Sequence, residues 1–429
     1  MSAKRVVVVG ASLAGLRAAE TLRSEGFDGE VVIVGAEQHR PYDRPPLSKK
    51  LLAGEWEPDR VQLRQPDSFD DLDVEWRFGV AAAGLDPSEK ILHLTDGTDL
   101  PYDGCVIATG AACRRLSEQS RYGHVHELRT LDDSMRLRAE FADGGKRVVV
   151  IGAGFIGLEV AGTAHALGNT VTVLEGAEAP LMRGLGADMG AAIGALHSAA
   201  GVEMRCGVQV EALHDEGVLL AASGAADDGE LLEADVVLVG IGVVPATAWL
   251  ADSGIELRDG VVCDSTLRAL DASGEPVGDV FAAGDVVRWP NQLFDEEMRI
   301  EHWTNAAEQG ALAAKNLMVS LGAGATDHVA QSYAPVPFFW SDQLEHRVQF
   351  VGRATADDDV EVALGSTVLD AGAEDGAKPR WLALYSDPST GRLRGALGVN
   401  APKWVMPMRA LLANRASIDD ARARAAEMA

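Results

Sequence analysis

Val6-Val7-Val8-Val9-Gly10-Ala11-Ser12-Leu13-Ala14-Gly15 opens the first readable unit of the chain. Four successive β-branched residues suit a strand buried on both faces of a parallel sheet, where a continuous apolar run replaces alternation. The glycine turn leads into an amphipathic helix through about Arg23, then a second strand at Val31–Val34. Glu37 closes the unit. Strand, glycine turn, helix, strand and acid follow in the order of a dinucleotide-binding βαβ unit. The six-residue motif alone would say less, since any tight turn before a helix uses glycine. Its middle position, where backbone would approach a pyrophosphate, is Ser12, and we read this small polar residue as tolerated.

A second copy follows. Arg147–Ile151 reads as a strand, Gly152-Ala153-Gly154-Phe155-Ile156-Gly157 as the unmodified turn, with a helix to about Leu167. Thr170–Leu174 is the next strand, and Glu175 stands at its end. The duplication extends further. Tyr102–Gly110 after the first unit and Ala234–Gly242 after the second each run acid, apolar strand, glycine, at similar distances from their leading glycines. Asp279-Val280-Phe281-Ala282-Ala283-Gly284-Asp285 places a carboxylate at the carboxyl edge of a sheet, where ligands of open α/β sheets bind. Beyond about Leu321 the texture changes to Pro335-Val336-Pro337-Phe338-Phe339-Trp340, with strands at Val348–Val351 and Trp381–Tyr385. A helix over roughly Pro407–Ala413 and an Ala/Glu-rich helical tail complete the chain. Ala221–Gly229 and Ala371–Lys378 read as surface loops.

The expected fold class is therefore α/β. Two Rossmann-like dinucleotide-binding domains (three-layer β/β/α, one discontinuous) precede an α+β C-terminal domain. The boundaries read as 1–113 with 250–327, then 114–249, then 328–429. At 429 residues the chain is too long for one core, which agrees.

Composition excludes several functions. The apolar fraction of 47% and charged fraction of 24% are those of a folded chain. A net charge of −27 repels phosphate backbones and anionic lipid, so neither nucleic acid nor a membrane surface is expected as partner. Cys105, Cys113, Cys206 and Cys263 have neither zinc-ligand nor C-x-x-C spacing, and no metal site is expected. The opening residues reach a glycine turn too soon for a signal peptide, and no apolar run is long enough to span a bilayer. The expectation is a reduced, cytoplasmic protein.

The sequence resembles the FAD-dependent NADH:ferredoxin and NADH:rubredoxin reductases that serve bacterial oxygenases, within the glutathione-reductase-like superfamily. Gly10–Gly15 carries the resemblance first, and Pro41-Tyr42-Asp43-Arg44-Pro45-Pro46-Leu47-Ser48-Lys49 carries it more specifically. Leu128-Arg129-Thr130, Gly152–Glu159, Phe281–Asp285, Glu301-His302-Trp303-Thr304-Asn305-Ala306 and Phe339-Trp340-Ser341-Asp342-Gln343 complete it. The resemblance implies FAD in the first unit and NADH in the second. Gly10, Ser12, Leu13, Ala14 and Gly15 would then hold the FAD pyrophosphate, and Glu37 the adenosine ribose. Arg44, Lys49 and Arg129 would reach the flavin or its phosphates, with the prolines holding residues 42–49 extended. Val80, Thr109, Gly110, Gly284, Asp285, Glu301 and His302 would line the same cofactor, with Trp303 and Trp340 beside its ring. For NADH the implied residues are Gly152, Gly154, Phe155, Ile156, Gly157, Glu175, Arg183 and Gly242. Glu175 favours NADH over NADPH, because a carboxylate binds a free 2′-hydroxyl and repels a 2′-phosphate. Glu159 would pair with Lys49 beside the reacting atoms as the catalytic pair.

Residues 40–50 contain no cysteine, so electrons arriving from NADH would leave the flavin directly for an iron–sulfur protein, a [2Fe–2S] ferredoxin or a rubredoxin. The expected enzyme is a ferredoxin–NAD(+) reductase. A flavin NADH oxidase or peroxidase, and an NADH-sensing flavoprotein similar to apoptosis-inducing factor, are the alternatives. An acidic ferredoxin would need a local basic patch for docking. Arg44, Lys50, Arg114, Arg115 and Arg347 are candidates, with Arg409 and Arg415 at the rim.

Overall fold

A computed structural model describes residues 4–222, 229–323, 329–369 and 378–429. The chain forms two compact units, each built from three separate segments. The first unit holds the chain up to Asp43, Val61–Ala112 and Val244–Pro337; the second holds Arg44–Arg60, Cys113–Val243 and Phe338 onward. The three-domain division expected from sequence divides the chain differently.

In the first unit the β-branched run forms the strand Arg5–Val9, all but one of its residues buried. It lies in a six-stranded sheet ordered Arg268–Leu270, Pro276–Ala282, Gly104–Ile107, Arg5–Val9, Glu30–Gly35 and Glu75–Phe78. The four pairings from Pro276–Ala282 to Glu75–Phe78 are parallel. The helix Leu13–Ser24 packs against the helix Trp303–Leu321 so closely that a Cβ on Gly310 would stand 2.3 Å from the Ala14 carbonyl oxygen. A three-stranded antiparallel meander, Ala82–Asp86, Ile91–Leu94 and Asp99–Pro101, and a three-stranded sheet of Val261–Val262, Val287–Asn291 and Glu296–Met298 belong to the same unit.

The second unit repeats the order. Its parallel sheet runs Glu203–Cys206, Thr170–Glu175, Arg147–Ile151, Val236–Val239 and Val125–His126. One face of that sheet supplies Val149, Ile151, Leu174, Val237 and Val239 to a core with Leu213, Val218 and Leu220 of an antiparallel meander. This is the β/β contact of the expected three layers. The helices Phe155–Ala166 and Met182–Ala200 pack on the sheet as well. The remaining segment is a five-stranded antiparallel sheet ordered Phe338–Gln343, His346–Gly352, Leu393–Val399, Arg380–Ser386 and Asp359–Ser366, with helices Pro402–Ala413 and Ile418–Ala426. An aromatic ladder runs through this unit: Phe155 meets Phe339 edge-on, Phe339 stacks on Phe350, and Phe350 meets Tyr385 edge-on.

One element corrects its expectation. The penultimate helix begins at Pro402, not near Pro407, and Pro407 lies inside it. A proline at the first helical position costs nothing, because its missing N–H would be unsatisfied anyway. Pro402 takes that place, and the later proline is the tolerated exception. Most of the two loops read at Ala221–Gly229 and Ala371–Lys378 lies outside the described residues. Among the described residues no helix is long and apolar enough to cross a membrane.

Candidate functional site

In both units a sheet strand ends at a glycine turn that aims a helix N-terminus at the carboxyl edge. A Cβ on Gly15 would stand 1.9 Å from the Gly10 carbonyl oxygen, and a Cβ on Gly157 would stand 2.2 Å from that of Gly152. Each glycine thus lets helix and strand touch, as the fingerprint requires. Ser12 is the N-cap of its helix, at φ −121°, and its hydroxyl caps no backbone N–H. Gly154, its counterpart, also has a negative φ of −76°. The middle position therefore needs no left-handed backbone, and serine fits without strain. The first N–H groups of a helix have no intrahelical acceptor. Neither helix carries an acid in its first turn, so both ends suit an anion.

Around the first turn the structure gathers most of the expected residues of that unit. Gly284 approaches Ala14, to whose Cβ an added Cβ would stand 3.2 Å away, and its N–H donates to Gln309 Oε1 at 2.9 Å. The Gly79 N–H donates to the Glu37 carbonyl and that of Val80 to Gly35, so Val80 stands beside the acid loop. Tyr42 donates its hydroxyl to Glu37 at 2.5 Å. Thr109 Oγ1 donates to the Ala246 carbonyl, and the Ala246 N–H to that of Gly110. Glu301 pairs with Arg299, which also donates to the Asp285 carbonyl. His302 is the N-cap of the helix that Trp303 begins, and the Trp303 indole donates to Asp43 at 2.7 Å.

The second unit holds the NADH-directed residues and also Arg44, Lys49, Arg129 and Trp340. Glu175 is braced on the glycine turn: Oε2 accepts from the Ala153 N–H at 2.8 Å and Oε1 from the Ala177 N–H at 2.9 Å. Arg183 Nη1 lies 4.0 Å from where a Gly242 Cβ would be. Residues 45–48 correct the expectation of an extended segment, forming a 3₁₀ turn with proline in its opening positions. Proline's fixed φ suits that geometry as well as an extended one. The turn is held by Ser134, which donates to the Leu47 carbonyl, and by Thr163, which donates to that of Ser48. Arg44 donates to the Arg129 carbonyl.

That turn delivers Lys49 to Glu159, 2.6 Å away on the helix after the second glycine motif. The carboxylate is 7% exposed. Ser48 also donates to Glu159 Oε2, at 2.5 Å, and Ser341 donates to Oε1. Gln343 and His197 extend this cluster inward. Sequence reasoning assigned no site role to Ser48, Ser341, Gln343 or His197. Strand alternation from Trp340 carried part of the signal, since it sets Ser341 and Gln343 on one face and Trp340 and Asp342 on the other. Trp340 sits under the Arg347 guanidinium, and Trp303 lies in the other unit.

The basic residues considered for docking all fall in the second unit, where Arg115 pairs with Glu127, Arg347 with Asp342, and Lys50 covers Trp56. Among the described residues no cluster of three or more potential metal ligands occurs.

Burial pushes His197 down to about 4 from its ordinary 6.5. The unfolded chain then takes a proton more readily than the fold. The stability contributed is complete above pH 6.5 and is lost as pH falls towards 4. Thermal melts across that window should show a falling midpoint, and His197→Gln, with no ring to protonate, should flatten the slope. A wild-type midpoint level over the window contradicts this.

The family described as pyridine nucleotide-disulphide oxidoreductase matches residues 4–310, and the reductase C-terminal family matches residues 338–429. The chain is 38% identical over 357 residues to the ferredoxin–NAD(+) reductase component of an anthranilate 1,2-dioxygenase system from Burkholderia cepacia, covering 82% of each chain. It is 34% identical to rhodocoxin reductase from Rhodococcus erythropolis, over 95% of this chain and 89% of that one. Among solved structures it resembles the reductase in a covalent putidaredoxin reductase–putidaredoxin complex, with a TM-score of 0.83 and 30% identity over 97% of this chain and 94% of that one.

Proposed function

Because the chain belongs to the pyridine nucleotide-disulphide oxidoreductase family, we propose that it is an FAD-dependent ferredoxin–NAD(+) reductase. In this reading it takes electrons from NADH and passes them to a [2Fe–2S] ferredoxin, or a rubredoxin, that feeds an oxygenase. Relatives named as reductase components of oxygenase systems support it. The cytoplasm, where NADH is supplied, is its proposed location.

The placement of the four cysteines carries the reading. All four cysteines are free. Burial pushes Cys105 up to about 12 and Cys263 well above its usual value, and it raises Cys113 and Cys206 as well. A thiol held protonated is a poor nucleophile and a poor redox relay. Residues 40–50 hold no cysteine and no two of the four have C-x-x-C spacing, so in this reading electrons leave the flavin without a cysteine pair, which favours a one-electron protein acceptor over disulfide or peroxide substrates.

Bound FAD would supply the conversion of a two-electron donor into single-electron deliveries. The close-packed turn at Gly10 and Gly15 is the observation that fits a dinucleotide in the first unit. Gly10, Ser12, Leu13, Ala14 and Gly15 would bind its pyrophosphate and Glu37 its ribose. Val80, Thr109, Gly110, Gly284, Asp285, Glu301, His302 and Trp303 belong to the same proposal, as do Arg44, Lys49, Arg129 and Trp340 on the resemblance. Gly152, Gly154, Phe155, Ile156 and Gly157 would hold NADH, with Glu175 on the ribose and Arg183 and Gly242 nearby. Lys49 and Glu159 would orient the reacting site. The three-domain division is part of this proposal.

Stopped-flow mixing with NADH, followed by reoxidation with [2Fe–2S] ferredoxins, tests the function. Rapid reduction and rapid reoxidation are expected, and a reduced protein that no iron–sulfur partner reoxidises refutes it. Thiol alkylation at neutral pH should leave ferredoxin reduction intact; inactivation in step with labelling of one cysteine would restore a thiol route. Glu175→Ala should narrow the preference for NADH over NADPH by about 1–3 kcal/mol, through loss of ribose bonds and of 2′-phosphate repulsion. The ratio of kcat/KM for the two nucleotides measures it, and an unchanged ratio places specificity elsewhere.

A further inference from the structure

Glu159 ends a chain of buried side chains that the proposed reaction leaves without a role. His197 Nε2 lies 2.9 Å from Gln343 Oε1, Gln343 Nε2 lies 2.7 Å from Ser341 Oγ, and Ser341 Oγ meets Glu159 Oε1. Ser341 is 1% exposed, and Gln343 and His197 are 0% exposed.

One carbonyl sets the direction of the whole chain. Gln343 Nε2 also faces the Phe155 carbonyl oxygen, at 3.3 Å. A carbonyl only accepts, so the amide nitrogen must point there; the flipped amide would set oxygen against oxygen. Gln343 Oε1 is then left for His197, whose Nε2 must carry the ring proton. Ser341 Oγ accepts from Gln343, so its own proton goes to Glu159. Every donor points towards the carboxylate, and reversing any link would set like against like, acceptor against acceptor or donor against donor, in a buried site. Ser48 and Lys49 occupy the other carboxylate oxygen.

We infer that His197, Gln343 and Ser341 form a one-way positioning relay that pins Glu159 Oε1 and so aims Oε2 at Lys49. Ser341 and Gln343 are positioning residues; Glu159 and Lys49 are the groups they serve. The inference rests on the reading that this pair serves the reaction with NADH. A merely structural tie between the helix Met182–Ala200 and the strand Phe338–Gln343 would involve the same atoms, and coupling to Glu159 separates the two.

The test compares the FAD-loaded wild type with Ser341→Ala, Gln343→Leu, Glu159→Gln and the Ser341→Ala/Glu159→Gln double variant in stopped-flow reduction by NADH. Ser341→Ala and Gln343→Leu should each slow reduction about tenfold, as a small misplacement of a reacting group does. The double variant should be no slower than Glu159→Gln alone, because the relay acts only through that carboxylate. His197→Gln keeps an N–H donor near the imidazole Nε2 position and should stay within about twofold of wild type, whereas His197→Phe should not. Additive slowing in the double variant, or Ser341→Ala at the wild-type rate, overturns the relay. If Glu159→Gln itself reduces at the wild-type rate, the reading of the pair fails instead. Nitrogen-15 NMR of histidine-labelled protein then decides the relay independently of activity. A His197 signal of the Nε2–H tautomer, lost in His197→Gln, supports it, and an Nδ1–H tautomer overturns it.

Discussion

Gly15→Ala should yield a chain that binds no FAD, whereas Gly157→Ala should yield a yellow protein that NADH reduces poorly or not at all. The added methyl in the first variant would stand 1.9 Å from the Gly10 carbonyl oxygen, and in the second 2.2 Å from that of Gly152. Both obstacles are backbone, so no rotamer change relieves them. Helix and strand must separate, at a cost of roughly 4 kcal/mol or more, in the range of severe core lesions. The helix end that would receive the pyrophosphate moves with them. Because the two turns lie in different compact units, the losses should separate cleanly. The flavin-to-protein ratio after incubation with FAD reads the first effect, and stopped-flow reduction reads the second. A Gly15→Ala protein with one flavin per chain, or Gly157→Ala at the wild-type rate, would show that these turns do not hold the nucleotides assigned to them.

Breaking the Lys49–Glu159 pair should be costly, and unequal from its two sides. Glu159→Ala removes the acceptor of three side chains, leaving the hydroxyls of Ser48 and Ser341 and the Lys49 ammonium without it. Lys49→Ala leaves a carboxylate still held by two hydroxyls. Lys49 is 19% exposed against 7% for Glu159, so the lysine side keeps more solvent to compensate. Loss of one partner from a buried pair costs about 3–5 kcal/mol, which we take as the upper bound for Glu159→Ala, with Lys49→Ala below it. Reduction by NADH should fall about 10²-fold in either variant while the FAD content holds. Urea melts and stopped-flow traces on the same preparations measure both. Should Lys49→Ala lose its flavin instead, the lysine anchors the cofactor rather than orienting the reaction.

What could be read beforehand depended on how local the cause was. Arg147–Ile151 was legible to the residue because a β-branched run followed by Gly152 has one good reading in a parallel sheet. The duplicated βαβ order was legible for the same reason, and the two sheets repeat it. Proline was less informative: Pro45 and Pro46 fix φ, but that value serves a 3₁₀ turn and an extended chain alike, and nothing nearby in sequence chose between them. The choice came from Ser134 and Thr163, which hold the turn from remote helices. His197 was invisible for the same reason. Its partner Gln343 lies far along the chain, and a histidine near a helix end gives no local sign of a buried acceptor. Ser341 and Gln343 were half-visible, since alternation put them on one face without saying what that face met.

The interleaving of segments has a consequence for how the protein is made. Completing the first unit requires residues up to Pro337, and completing the second requires the chain beyond Phe338 as well as Arg44–Arg60. At about 5–20 residues per second, a ribosome takes tens of seconds to supply those closing segments. Until residue 282 is made, the strand Arg5–Val9 has been synthesised but its sheet still lacks Pro276–Ala282. The nascent chain thus carries open strand edges for most of its synthesis. Chaperone demand and inclusion-body formation should accordingly track translation speed across residues 113–337 more than the stability of the finished protein.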